Sequence, residues 1–346
     1  MKRTLFGWGV AGLLLLLVSV VVSLSLGSAH IPIPQVWGIL VKQLPFVGDT
    51  VQATWPASSE QIIMKVRLPR IVLGVLIGGA LSVSGAGFQG VLRNPLADPY
   101  TLGVASGASV GAAFLIMFGL HYAIFGMWSI PIVAFGTGMA TLWVVFRLAG
   151  VQGKFRTETV ILSGVVVSSF LSAIVSFMVA LNSDRIVNEI LFWLMGSLSL
   201  RGWPYTTVVL PYLAVGAAIL IAYGRPLNLF TLGERHAAHL GVRVERTKWV
   251  VLLVSTVLTA AAVSVCGVIG FVGLITPHLV RLMVGPDYRL IIPLSLLFGG
   301  IYVLWADTLA RMVLSPTEIP LGVVTAFLGA PFFAYLLSRQ KKMLKG

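Results

Sequence analysis

Charge is the scarcest commodity in this chain. Only 10% of its 346 residues are Asp, Glu, Lys or Arg, against about a quarter in an ordinary soluble domain. With 58% hydrophobic residues and a mean hydropathy of +0.97, that excludes a water-soluble globular fold. Acidic residues number eleven, each in a connection or at the edge of an apolar run. Ionisable groups at mid-membrane mark proton relays and ion sites, so their absence argues against transport driven by a proton or sodium gradient. Asp307 comes nearest, and Arg311 one turn on offers it a local ion pair. The single cysteine, Cys266, excludes an internal disulfide and reads as a small packing residue. Catalytic signatures are missing as well. There is no H-E-x-x-H, and Gly153-Lys154-Phe155 lacks the Ser or Thr and the spacing of a phosphate loop. His236 and His239 have no carboxylate or thiolate set beside them. The chain is therefore expected to hold no metal or cofactor and to catalyse nothing itself. Energy for any active process must come from another chain.

What is abundant is the long apolar run. About ten candidate spans fall near 5–26, 68–92, 100–119, 124–146, 159–181, 206–223, 249–269, 271–285, 290–306 and 319–338. Runs of about 18 or more apolar residues read as membrane helices. The expected fold is an all-α polytopic membrane protein, one domain over 1–346. The 271–285 run is short and glycine-rich, which fits a broken or tilted span. The first run follows Met1-Lys2-Arg3 like a signal peptide, but it is long enough to span and no A-x-A-like site follows, so it reads as a retained helix.

The net charge of +13 is explained by topology rather than by nucleic acid. Most of the 24 Lys and Arg residues lie in connections on the same side as the N-terminus, among them Arg93, Arg147, Lys154, Arg225, Arg235, Arg243 and Lys248. The positive-inside rule then puts both termini in the cytosol.

Three connections carry information. Residues 27–66 include Trp37 in an apolar stretch, expected as a helix at the outer interface. Residues 182–205 hold Ile190–Gly196, too short to span, which fits a short helix dipping into the bundle. Residues 224–248 form the third, cytosolic segment. There Gly233, Glu234, Arg235, Ala237, Ala238, Leu240 and Gly241 read as a short helix opened and closed by glycine. That helix is either solvated or a docking element for a cytosolic partner.

Small residues recur at helical spacing: Gly74, Gly78 and Ser82; Gly103, Gly107 and Gly111; and Gly164, Ser168, Ser172 and Ser176. Close helix packing explains the glycines. The last set is either packing or a hydroxyl-lined path. The stretches Gly87–Val91 with Pro95 and Gly270–Leu274 with Pro277 look alike, as an inverted repeat or by chance.

Several motifs occur together and in order: Arg67-Leu68-Pro69-Arg70, Gly85-Ala86-Gly87-Phe88-Gln89-Gly90, Arg93-Asn94-Pro95-Leu96-Ala97-Asp98-Pro99, Gly270-Phe271-Val272-Gly273, Ile319-Pro320-Leu321-Gly322 and Gly329-Ala330-Pro331-Phe332. In combination the chain resembles the FecCD/BtuC-like permeases, membrane subunits of type II ABC importers, from about residue 5 to 340. The resemblance implies a ten-helix subunit, a second permease copy, ABC ATPase subunits, an extracytoplasmic substrate-binding protein, and a ferric siderophore, haem or cobalamin as cargo. Iron chelates are the commoner class. It implies that Gly233–Gly241 couples to the ATPase and that Arg67, Arg70 and Arg311 receive the binding protein, unless they are snorkelling interfacial arginines. It also implies that the serine stripe, Asn188, Ser197 and Ser199 line the path.

Overall fold

The computed structural model of the chain describes residues 2–27, 31–46, 48–50, 52–151, 154–155 and 157–343. Its helices in order are α1 (Lys2–Ser25), α2 (Ile33–Lys42), α3 (Ala57–Gln61), α4 (Leu68–Leu92), α5 (Val104–Met117), α6 (Ser129–Ala149), α7 (Thr157–Ala180), α8 (Asp184–Leu194), α9 (Trp203–Ala222), α10 (Gly224–Phe230), α11 (Glu234–His239), α12 (Val244–Cys266), α13 (Val272–Val284), α14 (Tyr288–Met312) and α15 (Leu321–Met343). A two-residue ladder pairs Gly150-Val151 with Lys154-Phe155. Seven helical stretches are long and apolar enough to cross a bilayer, and α5, α13 and the Leu321–Leu336 part of α15 are shorter apolar helices. Together they make the ten expected from the sequence. The interfacial element near Trp37 is α2, and the short one after residue 182 is α8.

Two of the ten are short. At about 1.5 Å per residue, α5 and α13 each cover about 20 Å of a hydrocarbon core of about 30 Å. The chain stops α4 at Arg93, whose φ of 50° is left-handed. The connection then folds back into the bundle. Pro99 lies against Gly273, and the Tyr100 hydroxyl donates to the Ile269 carbonyl at 2.9 Å. Opposite it, α12 ends at Gly267 (φ 74°) and α13 starts after Phe271 (φ 68°). The irregular stretch 267–271 is thus buried at Gly267 and Ile269 and borders a groove at Val268 and Gly270, and such backbone is tolerated at membrane depth only where it is buried in protein or lines a cavity. This also separates the two similar stretches seen in the sequence. Gly87–Val91 is continuous helix, whereas Gly270-Phe271 is a helix break, so their backbones are not equivalent.

Helix α4 is the centre of the bundle, buried along nearly all its length against α9, α12, α13 and α14. Small residues let those neighbours approach. A methyl group on Gly78 would fall onto the Gly299 carbonyl of α14, and one on Gly85 onto the Gly273 carbonyl of α13. Gly107 and Gly111 meet Thr141 and Thr137 of α6 in the same way. Lipid supplies no hydrophobic drive between helices, so this close contact is what holds them. The core divides into two main parts. One gathers Phe88, Leu220, Leu227, Phe230 and Val251 at the α11 end. The other gathers Leu73, Ile77, Leu198, Tyr205 and Val303 toward the opposite, Asp307 end.

Candidate functional site

An apolar groove of about 580 Å³ runs where three chain segments meet. Met195 and Leu194 come from the end of α8, Val268 and Gly270 from the α12–α13 break, and Gly322, Phe327 and Ala330 from α15. Backbone hydrogen bonds fix these segments. Leu321 N–H donates to Gly196 O and Gly322 N–H to Met195 O, both at 2.9 Å, while Ser197 N–H donates to Cys266 O at 2.7 Å. Gly322 is needed here because a methyl would meet the Met195 and Val268 carbonyls at 2.5 and 2.7 Å. Buried polar atoms without a partner sit on the same elements, namely Trp193 Nε1 on α8 and Thr276 Oγ1 and His278 Nδ1 on α13. A second apolar groove, about 490 Å³, lies between α9 and α12 with no chain break beside it.

The α7 stripe is not in this groove. Gly164 is buried beneath the Thr101 carbonyl, Ser168 lies by Gly103, and Ser172 and Ser176 are exposed. The cause is geometric: four-residue steps drift about 40° each on a helix of 3.6 residues per turn, so the stripe winds from the core to the surface. Asn188 is exposed on α8, and Ser197 accepts from Ser199 N–H at 3.0 Å.

At the α11 end, the short helix lies between Gly233 (φ 102°) and Gly241 (φ 87°), conformations that glycine alone adopts cheaply. Ala237 is fully buried in the core formed with Leu227 and Phe230. It anchors the helix and does not belong to the contact face expected from the sequence. The outward face carries Arg235, His236, Ala238, His239 and Leu240, with Leu232 before it. Leu232 and Leu240 are about 60% exposed. Sequence reasoning missed Leu232, whose signal was an apolar residue at the entry of a polar loop. Glu234 is held by Lys248 of α12 at 2.7 Å. Just before α11, Asn228 of α10 reaches the start of α14: its Nδ2 donates to Asp287 Oδ1 at 2.6 Å, and its Oδ1 accepts from Tyr288 N–H at 2.7 Å. Asp287 also caps α14 by accepting from Arg289 N–H. Hydrogen bonds from the Arg289 side chain, helped by Asn228, pull its carboxyl down to about 2 despite partial burial.

At the Asp307 end lie the three arginines, and all are buried. Arg70 Nε donates to both Asp307 oxygens at 3.1 Å, and its Nη1 and Nη2 donate to Glu318 at 2.8 and 3.0 Å. Arg311 Nε donates to Asp307 Oδ2 at 3.1 Å and its Nη2 to Ser23 Oγ at 3.0 Å. Arg67 Nη1 donates to the Leu24 carbonyl at 2.6 Å. The ion pair between Asp307 and Arg311 expected from the sequence is therefore one edge of a larger cluster. A partner could use these guanidinium groups only by releasing them from internal acceptors. They border an opening of about 250 Å³ with Val66, Pro316 and Glu318. Burial pushes the Glu318 carboxyl up, but hydrogen bonds and charge from Arg70 outweigh it and leave it below its ordinary value.

A bundle of ten apolar helices, with an apolar groove at a helix break and a short exposed helix at one end, is the architecture of a membrane permease. Comparison with known proteins narrows the class. The model of the FecCD transport family matches residues 15–339, and the chain belongs to that family, the membrane permeases of ABC importers. It is 44% identical over 334 residues to an uncharacterised ABC transporter permease of Bacillus subtilis (strain 168), YvrB, covering 96% of this chain and 94% of the relative. It is 46% identical over 282 residues to the cobalamin import system permease BtuC of Halobacterium salinarum, covering 82% and 74%. Among solved structures, an inward-facing transporter described as metal-chelate type ABC matches with a TM-score of 0.81 at 32% identity, covering 98% of this chain and all of that one.

Proposed function

We propose that this permease carries a metal chelate into the cytosol, with α11 facing an ABC ATPase in the cytosol and the Asp307 end facing an external binding protein. A second permease copy, identical or paralogous, completes the path. The observation that carries the reading is the apolar groove between α8, the α12–α13 break and α15. A bulky chelate must slide along such a path without being held, and few fixed charges make it permissive. Cargo choice then belongs mainly to the binding protein. An iron chelate is the first reading, from the commoner cargo of the resemblance. Cobalamin is the second, favoured by the 46% identity to a cobalamin permease.

On this reading ATP binding moves the ATPase pair, α11 receives the motion, and the helices around the groove rearrange. The cluster at Asp307 holds α1, α4, α14 and the loop before α15 together at the outer mouth, so that mouth opens as a unit. The test is uptake by proteoliposomes holding the permease, its ATPase and its binding protein, offered a ferric siderophore, haem or cobalamin. ATP-dependent uptake of one of them is expected. Uptake driven by an ion gradient without ATP would overturn the importer mechanism.

A further inference from the structure

Motion at α11 must enter the membrane by some route, and a chain of hydrogen-bonded polar side chains, half-buried at Asn228, Asp287 and Arg281 and buried at Tyr288 and Gln89, offers one. It starts at Asn228, whose amide uses both ends at once. The nitrogen donates to Asp287 and the oxygen accepts from the first backbone N–H of α14. That N–H is one of the four that a helix start leaves unpaired. Part of the cap of α14 thus comes from α10, the helix immediately before the exposed α11. Only an amide fits: a carboxylate at 228 would face the Asp287 carboxylate, and an apolar side chain would leave both partners unmatched.

The chain continues inward. The Tyr288 hydroxyl accepts from Arg281 Nη2 at 3.0 Å, and the same nitrogen donates to Gln89 Oε1 at 3.2 Å. Gln89, 1% exposed, donates in turn to the Gly273 and Leu274 carbonyls at 3.3 Å. Those carbonyls begin α13, beside the Gly270 that borders the groove. Hydrogen bonds therefore link α10, α14, the end of α13, α4 and the start of α13. A methyl group on Gly224, at the start of α10, would come within 3.3 Å of the Arg289 backbone, so α10 packs closely on the first turn of α14.

We propose that Asn228 is a positioning residue for transport: the joint through which α10 and α11 move α14, and through Tyr288, Arg281 and Gln89 the helix break at the groove. This rests on α11 being the ATPase-facing element. The polar chain is a physical connection with defined partners, and its role in coupling is what an experiment must measure.

The experiment uses the complete importer in proteoliposomes and records ATP hydrolysis and cargo uptake on the same preparation. Asn228→Leu keeps the branching and heavy-atom count of the side chain and removes both hydrogen bonds. Uptake per ATP hydrolysed is expected to fall at least tenfold while hydrolysis changes by less than about twofold. The exchange variant Asn228→Asp with Asp287→Asn restores one donor and one acceptor across the joint and is expected to recover most of the ratio. An unchanged ratio in Asn228→Leu overturns the proposal. So does a loss of hydrolysis and uptake in equal proportion, which marks a fold residue only. Ala238→Glu on the exposed face of α11 tests the underlying reading separately, by whether the ATPase still co-purifies with the permease. If association survives that change and a second one at Leu240→Glu, the coupling assignment fails. If association is lost there and Asn228→Leu still transports at the normal ratio, only the joint fails.

Discussion

Arg70 shares its guanidinium between two carboxylates in unlike surroundings, and this allows a quantitative test. Asp307 is 2% exposed and makes three contacts with Arg70 at 2.9–3.1 Å. The Glu318 side chain is 39% exposed and contacts the same group at 2.8 Å. Removing one partner of a buried pair costs about 3–5 kcal/mol, because the other charge is left without solvent or partner. Arg311 still holds Asp307 at 3.1 Å, which puts Arg70→Met at the low end, about 3 kcal/mol, a shift of about two orders of magnitude in the folding equilibrium. An exposed pair contributes only about 0.2–1 kcal/mol. A double-mutant cycle of Arg70→Met with Asp307→Asn should therefore give a coupling of roughly 1.5–3 kcal/mol. The cycle with Glu318→Gln should give below about 1 kcal/mol. Reversible unfolding in mixed micelles provides the readout. Raising salt from about 0.1 to 1 M shortens the screening length from about 10 to 3 Å, so the second coupling should shrink and the first should not. Equal couplings, or equal salt dependence, would show that burial does not set the strength of this cluster.

Ala237→Glu forces a carboxylate into the core beside Leu227 and Phe230, so folded yield should collapse in size-exclusion of the detergent-solubilised protein. Ala238→Glu, one residue on, should elute normally; matching losses would mean the two faces of α11 are assigned wrongly. Gly85→Ala drives a methyl group onto the Gly273 carbonyl and should cost about 1–3 kcal/mol by overpacking, seen as a lower unfolding midpoint, and an unchanged midpoint would deny the close contact. Asp287, with its carboxyl drawn down to about 2, stabilises the α14 start wherever it is ionised, fully above its ordinary 3.8 and progressively less as pH falls toward 2. Hydrogen exchange in the first turn of α14, corrected for intrinsic rates, should then be flat from pH 8 to 5; a rise within that window would refute the assignment.

The legible part of the site was the part governed by local rules. Gly233 and Gly241 announce a helix that begins and ends abruptly, and the structure gives both a positive φ. The outward face was harder to read. Ala237 and Ala238 are the same residue type, and only the packing of α11 on α10 decides that one is core and the other surface. The α7 serines show how little spacing alone says about a face: four-residue steps wind around the helix, so Gly164 is buried while Ser172 and Ser176 are exposed on this chain.

The sequence by itself determined that this is a membrane protein of about ten helices, because apolar run length and scarce charge follow directly from the cost of placing ions in hydrocarbon. Its ordered motifs also pointed to the family. Only the tertiary structure decided where the charges go. Arg70 meets Asp307 across 237 residues of chain, and Asn228 meets Asp287 across 59. Such pairs depend on which helices lie side by side, and helix adjacency is fixed by the fit of small residues such as Gly78 against Gly299 rather than by any local pattern.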